Sequence, residues 1–480
     1  MAQTLELFIA GAKRPPRTDE RVDVWDPATG GILARVPLCG SDDVADAVAA
    51  AREAFGDWAE TPVPVRARVM FRLQALVERH LDELAELVVR ENGKRLDEAR
   101  GEVRRGLEVV EFAAGMPTLM MGGGLEQVSR GVDTDMYRYP LGVVAGITPF
   151  NFPVMIPLWM APIAIAAGNT FVLKPSQRTP LSAMRLAELF AEAGVPEGVF
   201  NVVHGAEQAS NALIDHPDVR AVSFVGSETV ARAVYARAAS AGKRVQALAG
   251  AKNHMVVMPD ANLDLVADSI FSSAFGNAGE RCLAGSVAMP LGDVADPLLE
   301  RLVDRAHRAR LGSGLDPETI LTPVTTDVHR RRVASWIQKG VDEGAKLVVD
   351  GRTASAGDGF FLGPTILDHV RPDMSVAQEE IFGPVLAVER MEDLDQAIEV
   401  INRSRFGNAA VIFTRSGAAA RTFRRKVQAG MIGVNVGVPA PMAFFPFAGW
   451  KNSFFGDLHA TGRDAVEFFT ERKVVTSRWY

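Results

Sequence analysis

The tightest constraint on the fold is an alternation of short apolar runs with amphipathic stretches, from about residue 142 to about residue 436. Strands are read at 142–147, 169–173, 199–203, 221–225 and 244–248, with helices at 154–167, 180–193 and 228–240. A second block starts at 254, with helices at 262–276, 294–310, 326–343, 393–403 and 416–428 and strands at 285–290, 346–349, 386–390, 409–413 and 432–436. Parallel strands need a crossover connection, usually a helix, so this pattern predicts parallel sheets covered by helices on both faces. At 480 residues the chain exceeds one simple core. The fold class is therefore α/β, with two parallel-sheet domains.

The flanks read differently. Residues 5–35 suggest short strands and turns. Ser41-Asp42-Asp43 opens a helix to about Trp58, with Ser41 as the expected N-cap and an acidic first turn. Residues 63–113 carry apolar residues at helical spacing. Met120-Met121-Gly122-Gly123-Gly124 breaks that pattern, and the chain to Arg138 reads as extended. The tail ends in an alternating strand, 473–479, whose edge needs a partner. Residues 125–138, in the same chain or a second subunit, would supply it.

Composition excludes several classes. Apolar residues make up 48% and charged residues 23%, as in a globular protein, and a net charge of -7 argues against nucleic acid and acidic membranes. Residues 141–173 carry no charge and could span a bilayer by length. Pro149, Pro153, Pro157 and Pro162 interrupt them, which reads better as strand, loop, buried helix, strand. Two distant cysteines make no disulfide framework, and residues 1–13 show no secretory signal, so a cytoplasmic protein is expected.

The chemistry converges on Cys282, in Phe275-Gly276-Asn277-Ala278-Gly279-Glu280-Arg281-Cys282. An adjacent cation stabilises a thiolate, and glycines admit a substrate to the backbone. Asn151, held in Pro149-Phe150-Asn151-Phe152-Pro153, is a rigid N–H donor of the kind an oxyanion requires. Phe224-Val225-Gly226-Ser227 ends a strand and opens a helix, where backbone N–H groups meet phosphate. Lys174 and Gln177 follow another strand, where ligands gather in open α/β sheets. Glu379-Glu380-Ile381-Phe382-Gly383-Pro384 sets an acid beside an aromatic and a turn. Taken singly, each has a plain structural alternative.

Their order and spacing resemble the aldehyde dehydrogenase superfamily over essentially the full chain. Tyr139-Pro140-Leu141-Gly142, Gly250-Ala251-Lys252-Asn253-His254, Gly279-Glu280-Arg281-Cys282 and the run from Val438 to Phe447 are similar to its CoA-acylating methylmalonate-semialdehyde branch. The resemblance implies a Rossmann-like NAD-binding domain from 1–123 and 142–250, and a catalytic domain from 251–436. It also implies a β-arm for oligomerisation from 124–141 and 466–480, a return segment from 437–465, and a homo-oligomer, expected as a tetramer.

It implies that Cys282 is the nucleophile and Asn151 an oxyanion donor. Thr148, Phe150, Lys174, Gln177, Arg178, Gly226, Ser227, Ala249, Glu380 and Phe382 would contact NAD, and Arg105 and Arg281 would bind a substrate carboxylate. No metal is expected. Hydrolytic members carry a glutamate base where this chain has Leu248, so coenzyme A becomes the expected acyl acceptor. Gln177 stands where glutamate is usual, which weakens the exclusion of NADP. The expected reaction oxidises malonate or methylmalonate semialdehyde to acetyl-CoA or propionyl-CoA, with loss of the substrate carboxylate. The alternatives are a hydrolytic aldehyde dehydrogenase and a non-enzymatic relative of the fold. His254 and Cys39 read as packing residues.

Overall fold

The computed structural model describes residues 3–480. The first two residues of the stretch 1–13, and of the expected first domain, lie outside it.

Two large sheets organise the chain. The first has eight strands, in spatial order Phe454–Phe455, Arg244–Leu248, Val219–Val225, Val143–Ile147, Thr170–Lys174, Phe200–Val202, Leu7–Ile9 and Ala12–Arg14. Its five central strands are parallel, and the added edges are antiparallel. From Val143–Ile147 the chain proceeds to one side, then returns to Val219–Val225 on the other. The crevice between those two strands at their carboxyl ends is where doubly wound sheets bind ligands. The second sheet has seven strands, parallel except for the pair Lys346–Val349 and Thr365–Asp368.

Four long helices, followed by the short Met116–Leu119, precede the first block: α1 (Ser41–Glu60), α2 (Val63–Arg79), α3 (Leu81–Asn92) and α4 (Leu96–Ala114). Helix α4 packs on Met155–Ala166, every residue of which is buried. Gly106 permits this approach, since a Cβ there would lie 2.7 Å from Leu158 Cδ1. The uncharged stretch is thus strand, loop, buried helix and strand, and among the described residues no helix is long and apolar enough to cross a membrane.

Three readings need adjustment. Ser41 does not cap α1; Gly40 holds the N-cap position without a side-chain cap, and Ser41 is the first helical residue. Helix Glu207–Asp215 and strand Thr365–Asp368 fall outside the expected alternation. The tail strand, Thr470–Arg478, starts earlier than expected and pairs over nine residues with Val132–Pro140 of its own chain. Gly123–Ser129 occupies the other edge of that partner, completing a three-stranded arm.

Candidate active site

The two sheets meet where Leu248 ends a strand of the first and Asn253 begins a strand of the second. Cys282 lies at this junction, after the helix Leu263–Phe275 and a tight turn, Gly276–Gly279. Asn277, Ala278 and Gly279 have successive positive φ angles of 50°, 51° and 73°. A Cβ at Gly279 would lie 2.2 Å from Gly383 O, so only glycine fits both the space and the angle. Backbone in this region is held by its surroundings and clusters at functional sites. Two buried amides brace Cys282: Nδ2 of Asn253 and of Asn408 each donate to Cys282 O at 2.9 Å.

Cys282 lines two cavities. The first, about 350 Å³, also presents Glu98, Arg105, Phe152, Trp159 and Arg281. The second, about 400 Å³, is lined by Phe150, Asn151, Arg178, Gly226, Ser227, Leu248, Ala249, Glu380 and Phe382. This second cavity is the crevice expected from strand order, since residues 149–152 and 226–227 follow Val143–Ile147 and Val219–Val225. The helix Glu228–Ser240 opens there without a side-chain cap at Ser227, leaving N–H groups for an anionic ligand. Those features fit a dinucleotide.

Thr148, Lys174 and Gln177 are absent from both cavity walls. Lys174 is buried, and two of its three N–H donors serve Pro175 O and Gly205 O, each at 2.9 Å. Burial lowers its ammonium to about 8. Thr148 is buried beside it; its N–H donates to Lys174 O at 3.2 Å, and its Oγ1 has no hydrogen-bond partner.

Asn151 is buried, and its Nδ2 donates to Glu280 O at 2.9 Å, one residue from Arg281 and two from Cys282. Lys94 anchors the same loop by donating to Asn151 O at 2.7 Å and to Glu102 Oε2 at 2.6 Å. Glu102 Oε1 accepts from the N–H groups of Val154 and Met155 at 2.8 and 3.2 Å, capping the buried helix. These supports went unread in the sequence because α3 and α4 carry many charged residues of no special spacing. A buried Lys–Glu pair eight residues apart is invisible without the chain reversal between the two helices.

The expected activation of Cys282 by its neighbour is corrected by the structure. The guanidinium of Arg281 pairs with Glu98, and the thiol is pushed up to about 12, chiefly by burial and next by the Glu380 carboxylate. Arg281 only weakly offsets this. The thiol therefore keeps its proton at neutral pH in this arrangement. Glu380 accepts from Ala251 N–H at 2.9 Å, and burial raises its carboxyl to about 7. Both arginines expected to bind a carboxylate do reach the first cavity, each already anchored: Arg281 to Glu98, and Arg105 to Glu108 at 3.1 Å. Leu248 is buried in the second cavity's wall and offers no proton acceptor. His254 is buried, and burial lowers its ring to about 3, so it stays neutral; Cys39 is also buried.

Residues 14–475 match the aldehyde dehydrogenase family. The chain is 58% identical to malonate-semialdehyde dehydrogenase 2 of Geobacillus thermodenitrificans, over 99% of both chains. It is 55% identical to malonate-semialdehyde dehydrogenase of Halalkalibacterium halodurans, again over 99% of both. Among solved structures, methylmalonate-semialdehyde dehydrogenase from Oceanimonas doudoroffii superimposes with a TM-score of 0.98 at 46% identity, covering 100% of this chain and 99% of that one. A putative methylmalonate-semialdehyde dehydrogenase from Sinorhizobium meliloti 1021, complexed with NAD, gives 0.99 at 45% identity with the same coverage. On sequence and fold together, the chain belongs to the aldehyde dehydrogenase family.

Proposed function

We propose that this protein is an NAD-dependent, CoA-acylating dehydrogenase of malonate or methylmalonate semialdehyde. The observation that carries this reading is the placement of one thiol between two cavities, one walled by two arginines and the other by a leucine where a base would have to stand. The relatives named above act, by their names, on substrates of this class.

The aldehyde enters the first cavity with its carboxylate toward Arg105 and Arg281, whose planar forks suit that group. After losing its proton, Cys282 Sγ attacks the carbonyl carbon and forms a thiohemiacetal. Asn151 Nδ2 and the Cys282 backbone N–H are the donors for the developing oxyanion. NAD, when bound, supplies the hydride acceptor, and we assign its site to the second cavity. There the Gly226-Ser227 turn and the helix it opens would hold the pyrophosphate, Glu380 would accept from a ribose hydroxyl, and Phe150, Arg178, Ala249 and Phe382 would hold the rest. Thr148, Lys174 and Gln177, which line neither cavity, would contact another part of the cofactor, with one Lys174 N–H and the Thr148 hydroxyl still unpaired.

The resulting thioester carries a carboxylate β to its carbonyl. Loss of that group as carbon dioxide sends electrons into the same oxyanion site, and the enolate then takes a proton from water at its α-carbon to give the acetyl or propionyl thioester. With Leu248 unable to activate water, the acyl group waits for the thiol of coenzyme A, a stronger nucleophile. We assign the three-stranded arm, with Leu125, Tyr137, Val474 and Trp479 exposed on it, to assembly of a homotetramer. The unpaired Cys39 and Cys282 accord with a reducing, cytoplasmic setting.

The test is NADH formation from each semialdehyde, with and without CoA, with the acyl product identified. Sustained turnover only with CoA, yielding acetyl-CoA or propionyl-CoA, is expected. Equal steady rates without CoA, giving a free acid, would establish the hydrolytic alternative instead.

A further inference from the structure

Glu98 lies in the first turn of α4 and reaches the loop that carries Cys282. Its carboxylate accepts from Asn277 N–H at 3.1 and 3.3 Å and from Arg95 N–H at 3.3 Å, and it pairs with the Arg281 guanidinium. The two paired side chains are 18% and 16% exposed, so water screens them little. Only Nη2 of Arg281 is engaged; among the described residues no other group accepts from this guanidinium. The guanidinium also lies against Gly276, where a Cβ would come within 2.3 Å of Nη2, 2.6 Å of Cζ and 2.7 Å of Nη1. Arginine gives up considerable rotamer freedom to hold one geometry. Here one corner of the fork is fixed by Glu98 and its face by Gly276, while its remaining donors carry no partner among the described residues and the residue lines the first cavity together with Arg105.

We propose that Glu98 is a positioning residue for substrate selection: it orients Arg281 so that aldehydes bearing a carboxylate are preferred over uncharged aldehydes of equal length. The proposal rests on the function assigned above. Net charge alone makes the opposite prediction, because removing Glu98 would make the cavity more positive and draw an anion in. The sign of the effect therefore separates positioning from bulk electrostatics.

The experiment compares kcat/KM for malonate semialdehyde and for propanal, with NAD and CoA, in wild type, Glu98→Gln, Arg281→Gln and the double variant. Glutamine keeps the size of Glu98 and can still accept from Asn277. Glu98→Gln is expected to cut kcat/KM for malonate semialdehyde about tenfold more than for propanal, and to add no selective loss in the Arg281→Gln background. Gly276→Ala, which displaces the guanidinium while leaving Glu98 in place, is expected to reproduce the selective loss. Equal losses on both substrates, a gain on malonate semialdehyde, or additive selective losses in the double variant would overturn the proposal. A wild-type enzyme without preference for malonate semialdehyde would instead overturn the assigned function, a result distinguishable because it precedes any substitution.

Discussion

Replacing Lys94 by methionine should cost stability and activity together, and the structure sets the scale. The side chains of Lys94 and Glu102 are 1% and 0% exposed, at 2.6 Å from each other. Methionine fills most of the space of the lysine stem and still packs on Phe152, over whose ring the ammonium sits at 4.2 Å, so no cavity penalty enters. What is lost is the cation–π contact with Phe152 and two charge-assisted hydrogen bonds, the latter each contributing about 1.5–3 kcal/mol. Glu102 becomes a buried charge without its partner, and breaking such a pair costs about 3–5 kcal/mol. The two estimates overlap at about 3–5 kcal/mol. Glu102 keeps the N–H groups of Val154 and Met155, which places the expected value toward the lower end. Urea unfolding at fixed subunit concentration, followed by fluorescence and circular dichroism, measures it as a shifted midpoint at constant m. Because Lys94 also holds Asn151 O, kcat should fall by about tenfold or more, a fraction of what loss of an oxyanion donor costs. A stability loss under about 1 kcal/mol with unchanged kcat would refute the claim that this pair supports the Asn151 loop.

Leu248→Glu should restore a base at the second cavity and permit NADH production without CoA, raised about a hundredfold over wild type under that condition; an unchanged single burst would refute the role given to Leu248. Alkylation of Cys282 in the cofactor-free protein should rise about tenfold per pH unit from pH 7 to 10, because a thiol pushed up to about 12 gains thiolate in proportion to hydroxide throughout that range. A plateau below pH 9, measured with iodoacetamide and mass spectrometry, would contradict that ionisation.

The sequence made the two parallel sheets legible because their strands are short apolar runs with helices between them, and burial on both faces demands that composition. Helix Glu207–Asp215 stayed hidden because only three of its residues, Ala209, Leu213 and Ile214, are buried. Thr365–Asp368 is too short to show a period. At the site, Cys282, Asn151 and the Gly226-Ser227 turn could be found because each stands in an unusual local run. Where a guanidinium points depends on a distant partner, so Arg281 read as a neighbour of the thiol while the fold gives it to Glu98, 183 residues earlier. For the same reason Asn253 and Asn408 gave no separate signal: they brace Cys282 through its carbonyl, one from the strand Asn253–Val257 and the other from the bend just before Ala409–Phe413, two strands that pair only in the second sheet.

A thiol set into the wall between two chambers lets their chemistries evolve apart. Among the described residues, only Phe152, Trp159, Cys282 and Phe447 border both. On the assigned function, a substitution at Arg105 or Val109 would change which aldehyde is admitted without touching the surface that meets the electron acceptor. A substitution at Leu248 would, on the same assignment, change how the acyl group departs without altering what was oxidised. Such a partition allows one scaffold to acquire new substrates, or a new way of releasing them, in independent single steps.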